Sequence, residues 1–179
     1  MSFSLRTATV FAVGLMLSSI GAESALAQAA QSAQPVELGK YNAWNAYSAP
    51  GKGGKICYAL AQPTSRRPNG LNRDPAYFFI SNRPRENVRN EVSVVIGFTA
   101  KPDSKVEIDI GGTEFTLYPR ADGAFMQSAE EEAKFVAALK GARRNMTMKS
   151  TSLRGNVTTD TYSVAGVTAA IERIDRECR

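Results

Sequence analysis

The stretch Val106-Glu-Ile-Asp-Ile-Gly-Gly-Thr-Glu-Phe-Thr-Leu117 gives the clearest indication of the fold. A two-residue Gly111-Gly112 loop suits a type I′ turn, because that turn requires positive φ at both central positions. With this turn, the opposing residues on one face are Ile110 and Thr113, Ile108 and Phe115, and Val106 and Leu117. Since all of these pairs share one face, the stretch predicts a half-buried antiparallel hairpin.

The opposite face of this hairpin carries Glu107, Asp109 and Glu114, with Asp109 opposite Glu114. Two facing carboxylates could bind calcium, but calcium normally takes roughly six or more oxygens and no Asp/Asn-rich loop lies nearby. We therefore interpret these residues as solvated charges that discourage pairing with another sheet edge. No metal site and no cofactor is predicted.

Further strands are predicted on both sides of the hairpin, from apolar alternation and from the turn residues between the runs. Their ranges are 44–48, 55–62, 76–83, 90–99, 146–152 and 156–163. Together these patterns predict a mainly β fold of about seven to nine antiparallel strands with two packed α-helices, either a β-sandwich or a partly open barrel.

The two helices are predicted at 128–140 and 167–178. Ser128 and Glu131 match a capping box at the start of the first helix, and Gly141 is suited to its end. In the second helix one face is apolar, which indicates that this face is buried. The residues of that face are Val167, Ala170, Ile171, Ile174 and Cys178.

The two cysteines are expected to form a disulfide. Cys57 shares a strand face with Ala59 and Ala61, where the side chains are small enough for a helix to approach, and Cys178 lies on the apolar face of the last helix. An even pair in an exported chain most simply forms a disulfide. A redox-active pair is the alternative, but the C-x-x-C spacing that lowers a thiol pKa is absent.

The N-terminal residues predict export. Arg6 is followed by an uncharged, largely apolar run at 9–20 and by Ala25-Leu26-Ala27, which matches a signal-peptidase site before Gln28. The run is about a dozen residues, whereas a membrane-spanning helix needs about 20. We therefore predict a signal peptide at 1–27, a flexible leader at 28–40 and a single β-rich domain at 41–179. The mature protein is expected to be periplasmic or secreted, with no transmembrane span.

The composition excludes several functions. The chain has no histidine, which excludes Ser-His-Asp and Cys-His catalysis and the usual zinc sites. This absence is the strongest argument against an enzyme. The net charge of +5 at pH 7 favours anionic partners, but nucleic acid is not expected for an exported chain without a basic helix.

Several stretches resemble the invasion-associated locus B family of alphaproteobacterial exported proteins. They are W-N-A-Y at 44–47, K-I-C-Y-A-L-A-Q-P at 55–63, N-R-D-P-A-Y-F-F-I-S-N-R at 72–83, R-N-E-V-S-V-V-I-G at 89–97 and G-N-V-T-T-D-T-Y-S-V-A-G-V-T-A-A at 155–170. Many members carry a further cysteine shortly after the tryptophan, where this chain has Asn45-Ala46-Tyr47. The Cys57–Cys178 pairing therefore rests on the residues alone.

The resemblance implies a periplasmic or outer-membrane-associated protein, from a family named for a role in host-cell entry. It implies no catalytic residue and no cofactor. Members also occur in free-living bacteria, so a general role in the cell envelope is the alternative to host entry. The oligomeric state stays open.

Our leading hypothesis is a non-catalytic envelope protein that binds an anionic glycan, lipid or host-surface component through arginines on its loops. Arginine suits phosphate and carboxylate because its planar guanidinium donates two parallel hydrogen bonds. The candidates are Arg66, Arg67 and Arg73, predicted to be exposed on the long connection at 63–75, together with Arg83, Arg85 and Arg89. They form one positive surface only if that connection folds back along the sheet. Arg143 and Arg144 form a second, smaller cluster.

Two alternatives come from other functional classes. A carboxylate-based hydrolase of envelope polysaccharide would need a pair of acids, and the acids available in the strand region are Glu91, Asp109, Glu114 and Asp122. A structural or chaperone-like partner would offer a sheet edge to another envelope protein.

Overall fold

The computed structural model describes residues 34–179. The predicted signal peptide and residues 28–33 of the predicted leader lie outside the described residues. The helices are α1 (Ala129–Gly141) and α2 (Val167–Glu177), and a 3₁₀ turn spans Pro84–Glu86. The strands are β1 (Val36–Tyr41), β2 (Trp44–Gly51), β3 (Gly54–Ala61), β4 (Ser65–Arg67), β5 (Tyr77–Arg83), β6 (Val88–Val95), β7 (Val106–Ile110), β8 (Thr113–Arg120), β9 (Gly123–Phe125), β10 (Met146–Thr151) and β11 (Val157–Tyr162).

The strands form one antiparallel sheet, which confirms the predicted fold class. Their order is β1-β2-β3-β5-β6-β9-β8-β7-β10-β11-β4. The described residues contain eleven strands, more than the roughly seven to nine that the patterns predict. Residues 36–40, predicted to belong to the leader, form most of β1, and β4 interrupts the predicted loop at 63–75. Both strands lack a long apolar alternation, so their pairing depends on the partner strand.

The hairpin β7–β8 has the register that the sequence predicts. Ile108 lies opposite Phe115 and Asp109 lies opposite Glu114. Gly111 and Gly112 have φ values of +62° and +96°, as a type I′ turn requires. The hairpin β10–β11 is also confirmed, with its strands paired along their whole length.

The sheet curls so that its two halves face each other across one core. The ring centroids of Phe78 on β5 and Tyr162 on β11 lie 5.6 Å apart. Near the two ends of the sheet, Trp44 Nε1 donates a hydrogen bond to the carbonyl of Ser163 at 2.9 Å. The result is a sandwich-like, partly open barrel, because the sheet curls without pairing β1 to β4.

Helix α1 begins where the capping pattern predicts. Ser128 Oγ accepts a hydrogen bond from the Glu131 backbone N–H at 3.2 Å. The helix packs on the core through Phe135, whose ring stacks on Phe78 with centroids 5.6 Å apart. None of the helices among the described residues is long and apolar enough to cross a membrane.

Helix α2 is attached to the sheet by the predicted disulfide. Cys57 on β3 bonds Cys178, with Cα atoms 5.9 Å apart. The predicted apolar face of the helix is buried. Asn82 on β5 adds a second link, because its Nδ2 donates to Asp175 Oδ1 at 2.8 Å. The small side chains around Cys57 are buried, as expected where a helix approaches a sheet closely.

Candidate functional site

Arg66 and Arg73 converge on one buried carboxylate, that of Asp160 on β11. Arg66 Nε donates to Asp160 Oδ2 at 3.2 Å, and Arg73 Nη1 donates to Asp160 Oδ1 at 2.8 Å. The side chains of Arg66, Arg73 and Asp160 are 23%, 7% and 1% exposed. The prediction that both side chains are exposed is therefore wrong, although Arg73 does lie on the connection between β4 and β5. Arg66 belongs to β4, whose pairing with β11 places it directly opposite Asp160.

Arg66 has a structural role, because all three of its nitrogens are used within the protein. In addition to its bond with Asp160, Nη1 donates to the Asp74 carbonyl at 2.8 Å and Nη2 donates to the Ile96 carbonyl at 3.1 Å. Arg66 thus joins β4 to the segment before β5 and to the residue after β6.

Arg73 is different, because only one of its nitrogens is used in this way. Nη1 is bonded to Asp160, while Nε and Nη2 have no protein acceptor among residues 34–179. Arg73 also lines a cavity of about 460 Å³. We call this cavity the Arg73 cleft. Its volume lies within the range of small-molecule sites, about 300–1,000 Å³. The other lining residues are Leu71, Asn72, Asp74, Gly97, Phe98, Thr99, Ser152, Leu153, Arg154, Asn156 and Thr158.

The walls of the Arg73 cleft are positioned by backbone contacts. The Asp74 N–H donates to the Gly97 carbonyl at 3.0 Å, and Leu153 N–H donates to the Thr99 carbonyl at 2.9 Å. A Cβ on Gly97 would lie 2.2 Å from the Asp74 carbonyl oxygen, and the φ of Gly97 is +81°. Glycine is therefore required at position 97, just after β6, where the backbone passes close to the Asp74 carbonyl.

The charged groups at the cleft leave an excess of positive charge. Arg73, Arg154 and Asp74 line the cleft, and Asp160 and Arg66 are joined to Arg73 by ion pairs at the shared carboxylate. Together these residues carry three guanidiniums and two carboxylates. One net positive charge remains. Because Arg73 is almost entirely buried, this charge is less well solvated than a surface charge, so an anion in the cleft would be stabilised.

The other candidate arginines lie outside the Arg73 cleft. Arg83 is paired with Glu86 and with both carboxylate oxygens of Glu91. Its hydrogen bonds with Glu91 raise the pKa of Arg83. Arg67, Arg85 and Arg89 are exposed and make no ion pair within the described part of the chain. The exposed residues Arg143 and Arg144 do not line the cleft either.

A second cavity, of about 720 Å³, lies beside the C-terminal end of α2 and includes Arg85 in its lining. It is larger than the Arg73 cleft, but its lining charges are arranged differently. Lys55 Nζ lies 2.6 Å from Glu177 Oε1, and Glu177 also accepts a hydrogen bond from Arg173. The lining residues Arg85 and Arg179 are exposed. Since none of the charged lining residues within 34–179 is buried, we regard the Arg73 cleft as the stronger candidate.

The acids considered for hydrolysis do not line the Arg73 cleft. Glu91 is paired with Arg83. Asp109 and Glu114 lie opposite each other on the exterior of the β7–β8 hairpin, where Asp109 Oδ2 accepts from the Gly112 N–H at 3.1 Å. Among residues 34–179, no cluster of three or more acidic or cysteine side chains could hold a metal ion.

The sheet edges are not strongly apolar. At one edge, β1 carries Val36, which is 61% exposed, but also the exposed residues Glu37 and Lys40. At the other edge, β4 is three residues long. Short and charged edges discourage the addition of another strand.

The sequence patterns did not identify Asp160, which holds Arg73, or the buried Tyr162 two residues later on the same strand. Thr158, Asp160 and Tyr162 alternate along β11, and all three are buried. The sequence did contain a signal for Asp160, because it is a charged residue at an inward-facing position of a predicted strand. The Tyr162 hydroxyl is buried without a hydrogen-bond partner among the described residues. Burial raises the pKa of Tyr162, and the negative charge of Asp160 raises it further.

The described residues thus define a mainly β domain with a disulfide-linked helix and a positively charged polar cleft. Its fold is similar to that of the crystal structure of invasion associated protein B from Bartonella henselae, with a TM-score of 0.54 and 13% identity over 79% of this chain and 96% of that chain. No protein-family model matches the sequence, and no curated protein matches it. The similarity concerns the fold, and it agrees with the resemblance drawn from the sequence stretches.

Proposed function

We propose that this chain is an exported, non-catalytic binding protein of the cell envelope, and that an anionic envelope or host-surface component binds in the Arg73 cleft. The observation that carries the proposal is the unbalanced charge at Asp160. Two guanidiniums share this one carboxylate, and the side chain of Arg73 is 7% exposed.

Arg73 is well prepared to bind an anion. Asp160 holds Nη1 and so orients the guanidinium before a ligand arrives. A donor that is already ordered loses little side-chain entropy on binding. Arg154 also lines the cleft and is exposed, so it can attract an anion from solution.

Export is supported by the signal-peptide pattern at 1–27 and by the disulfide between Cys57 and Cys178, since disulfides persist in oxidising compartments. The similar structure is that of a protein named as invasion associated. We extend this association to the present chain as part of the proposal, with envelope maintenance as the alternative role.

A non-catalytic role is supported by the titratable groups of the cleft. Asp74 is the one carboxylate among its lining residues, whereas glycoside hydrolysis normally uses two. With no histidine in the chain, a general base near neutral pH would have to be one of the carboxylates, lysines or tyrosines. The arrangement is therefore better suited to binding than to hydrolysis.

The test is an NMR titration of the isotopically labelled protein with inorganic phosphate and with D-glucuronate. At least one of these anions should shift the backbone amide signals of residues 71–74, 97–99 and 152–156, and the affinity should fall as salt screens the charges. Arg154→Gln should weaken binding about tenfold, the size of one lost hydrogen bond to a charged group.

Arg120→Gln is the matched control, because Arg120 is exposed on β8 and does not line the cleft. It should leave the affinity unchanged. The proposal fails if neither anion shifts the cleft signals. It also fails if binding is lost in Arg89→Gln rather than in Arg154→Gln, since the ligand would then lie at Arg89, outside the cleft.

A further inference from the structure

We infer that the ligand of the Arg73 cleft is an acidic sugar, bound through a single carboxylate such as that of a uronic acid. This inference rests on the proposed function and gives it a ligand class. Three features of the cleft lead to it: the shape of the free guanidinium edge, the net charge, and the mixture of amide, hydroxyl and apolar side chains.

The free edge of Arg73 fits a planar carboxylate. Nη1 is occupied by Asp160, which leaves Nε and Nη2 without a protein acceptor in the part of the chain that the structure describes. These two nitrogens lie along one edge of the planar guanidinium. Their N–H groups can therefore donate two parallel hydrogen bonds to the two oxygens of one carboxylate.

The charge of the cleft matches a monoanion. Three guanidiniums and two carboxylates leave one positive charge, which one carboxylate neutralises. A phosphate monoester carries about −1.5 to −2 at neutral pH. It would exceed the available positive charge and would lie near Asp74, an exposed acidic residue of the lining.

The remaining lining residues have the properties that a sugar ring requires. Asn72, Thr99 and Asn156 are exposed, and they can exchange hydrogen bonds with sugar hydroxyls. Phe98 is half-buried, and with Leu71 and Leu153 it provides apolar surface for the C–H face of a pyranose. A simple inorganic anion would make no use of this apolar surface.

The experiment compares four probes by calorimetry and NMR: a glucuronate-containing trisaccharide, its methyl ester, glucose 6-phosphate and a neutral glucose trisaccharide. We expect the glucuronate trisaccharide to bind in the cleft and its methyl ester to bind at least about tenfold more weakly, because the ester removes the charge that pairs with Arg73. The neutral trisaccharide should bind no better than the ester, and glucose 6-phosphate should bind more weakly than the uronate.

Asp74→Asn gives an independent test of the charge argument. The hydrogen bonds of Asp74 with Arg66 and Gly97 are made by its backbone, and Asp74 is exposed. This substitution should therefore leave the structure of the cleft unchanged. It raises the net charge of the cleft by one. Binding of glucose 6-phosphate should then improve about tenfold, and by more than the binding of the uronate.

The possible failures are distinct. If glucose 6-phosphate shifts the cleft signals and binds as tightly as the uronate to the unmodified protein, the acidic-sugar inference is wrong and the anion-binding function stands. The inference also falls if the methyl ester binds as tightly as the free acid. If no anion shifts the cleft signals, both the inference and the proposed function are wrong.

Discussion

Arg73 Nη1 lies 2.8 Å from Asp160 Oδ1, although the two residues are 87 positions apart in the chain. This contact joins the segment between β4 and β5 to a strand near the C-terminus. Arg66 shares the same carboxylate at 3.2 Å. The buried carboxylate of Asp160 thus both links this segment to β11 and positions the guanidinium that lines the cleft.

Asp160→Asn should strongly destabilise the domain. The amide keeps the size of the side chain but leaves two guanidiniums without their counter-charge, one of them almost fully buried. Breaking a buried ion pair typically costs about 3–5 kcal/mol. Urea unfolding followed by tryptophan fluorescence measures this loss. Glu114→Gln, an exposed acid on β8, is the control and should change the free energy of unfolding by less than about 0.5 kcal/mol.

Replacing Cys57 and Cys178 by serine should lower the thermal midpoint and the unfolding free energy. The disulfide spans 121 positions, and closing a loop of that length is worth on the order of 4–5 kcal/mol in the chain-entropy model. Anion binding below the new midpoint should persist, because neither cysteine lines the Arg73 cleft. Two free thiols, detected after the unmodified protein is denatured without a reducing agent, would contradict the disulfide.

Gly166→Ala should cost far more stability than Gly155→Ala. Both glycines have positive φ, +88° and +83°, so both alanine variants suffer backbone strain of about 1–2 kcal/mol. A Cβ on Gly166 would also lie 1.9 Å from the Tyr41 carbonyl oxygen, whereas a Cβ on Gly155 would meet no atom of residues 34–179 within 4 Å. We expect at least about 3 kcal/mol for Gly166→Ala. Equal losses by chemical denaturation would disprove the close approach of β1 to the start of α2.

Tyr162→Phe should leave the protein as stable or make it more stable at pH 7. The substitution removes a buried hydroxyl that lacks a partner within residues 34–179, and burying such a group costs about 1–3 kcal/mol. Burial raises the pKa of Tyr162, so the folded protein keeps this proton while the unfolded chain releases it near pH 10. Stability should therefore fall above pH 10, and the fall should be less steep in the phenylalanine variant. Identical slopes in unfolding measurements at pH 9 to 11 would refute this.

Glu132→Gln should reduce the pH dependence of stability in the weakly acidic range. Burial raises the pKa of Glu132, while the hydrogen bond from the Val92 backbone N–H, 3.1 Å long, lowers it and the charge of Glu91 raises it. The folded protein therefore binds this proton more tightly than the unfolded chain, and stability decreases as the pH rises through the raised pKa. Glutamine retains the acceptor without the charge, so the variant should gain stability relative to the unmodified protein as the pH rises from 4 to 7. Glu172→Gln, at an exposed position of α2 without an ion pair among residues 34–179, is the control and should leave the pH dependence unchanged.

Local pattern alone determined several elements of this protein. The register of β7–β8 follows from Gly111-Gly112, because a two-residue turn leaves one way to pair the flanking residues. The start of α1 follows from Ser128, and the buried face of α2 follows from the helical spacing of its apolar residues. The Cys57–Cys178 pairing was also accessible, since each cysteine lay on a face that independent periodicities marked as buried. In each case the signal is local: it lies within one hairpin or one helix, or, for the disulfide, within the strand and the helix that carry the two cysteines.

Only the tertiary structure decided the number of strands and the nature of the cleft. β4 has three residues and no apolar alternation, so it is a strand only because β11 is beside it. Arg66 and Arg73 are ordinary polar residues in their local sequence, and nothing nearby distinguishes a buried arginine from an exposed one. Their roles depend on contacts between segments 87 or more positions apart. Such contacts arise because the curled sheet brings distant strands together, where the desolvation of charged groups requires that they be paired.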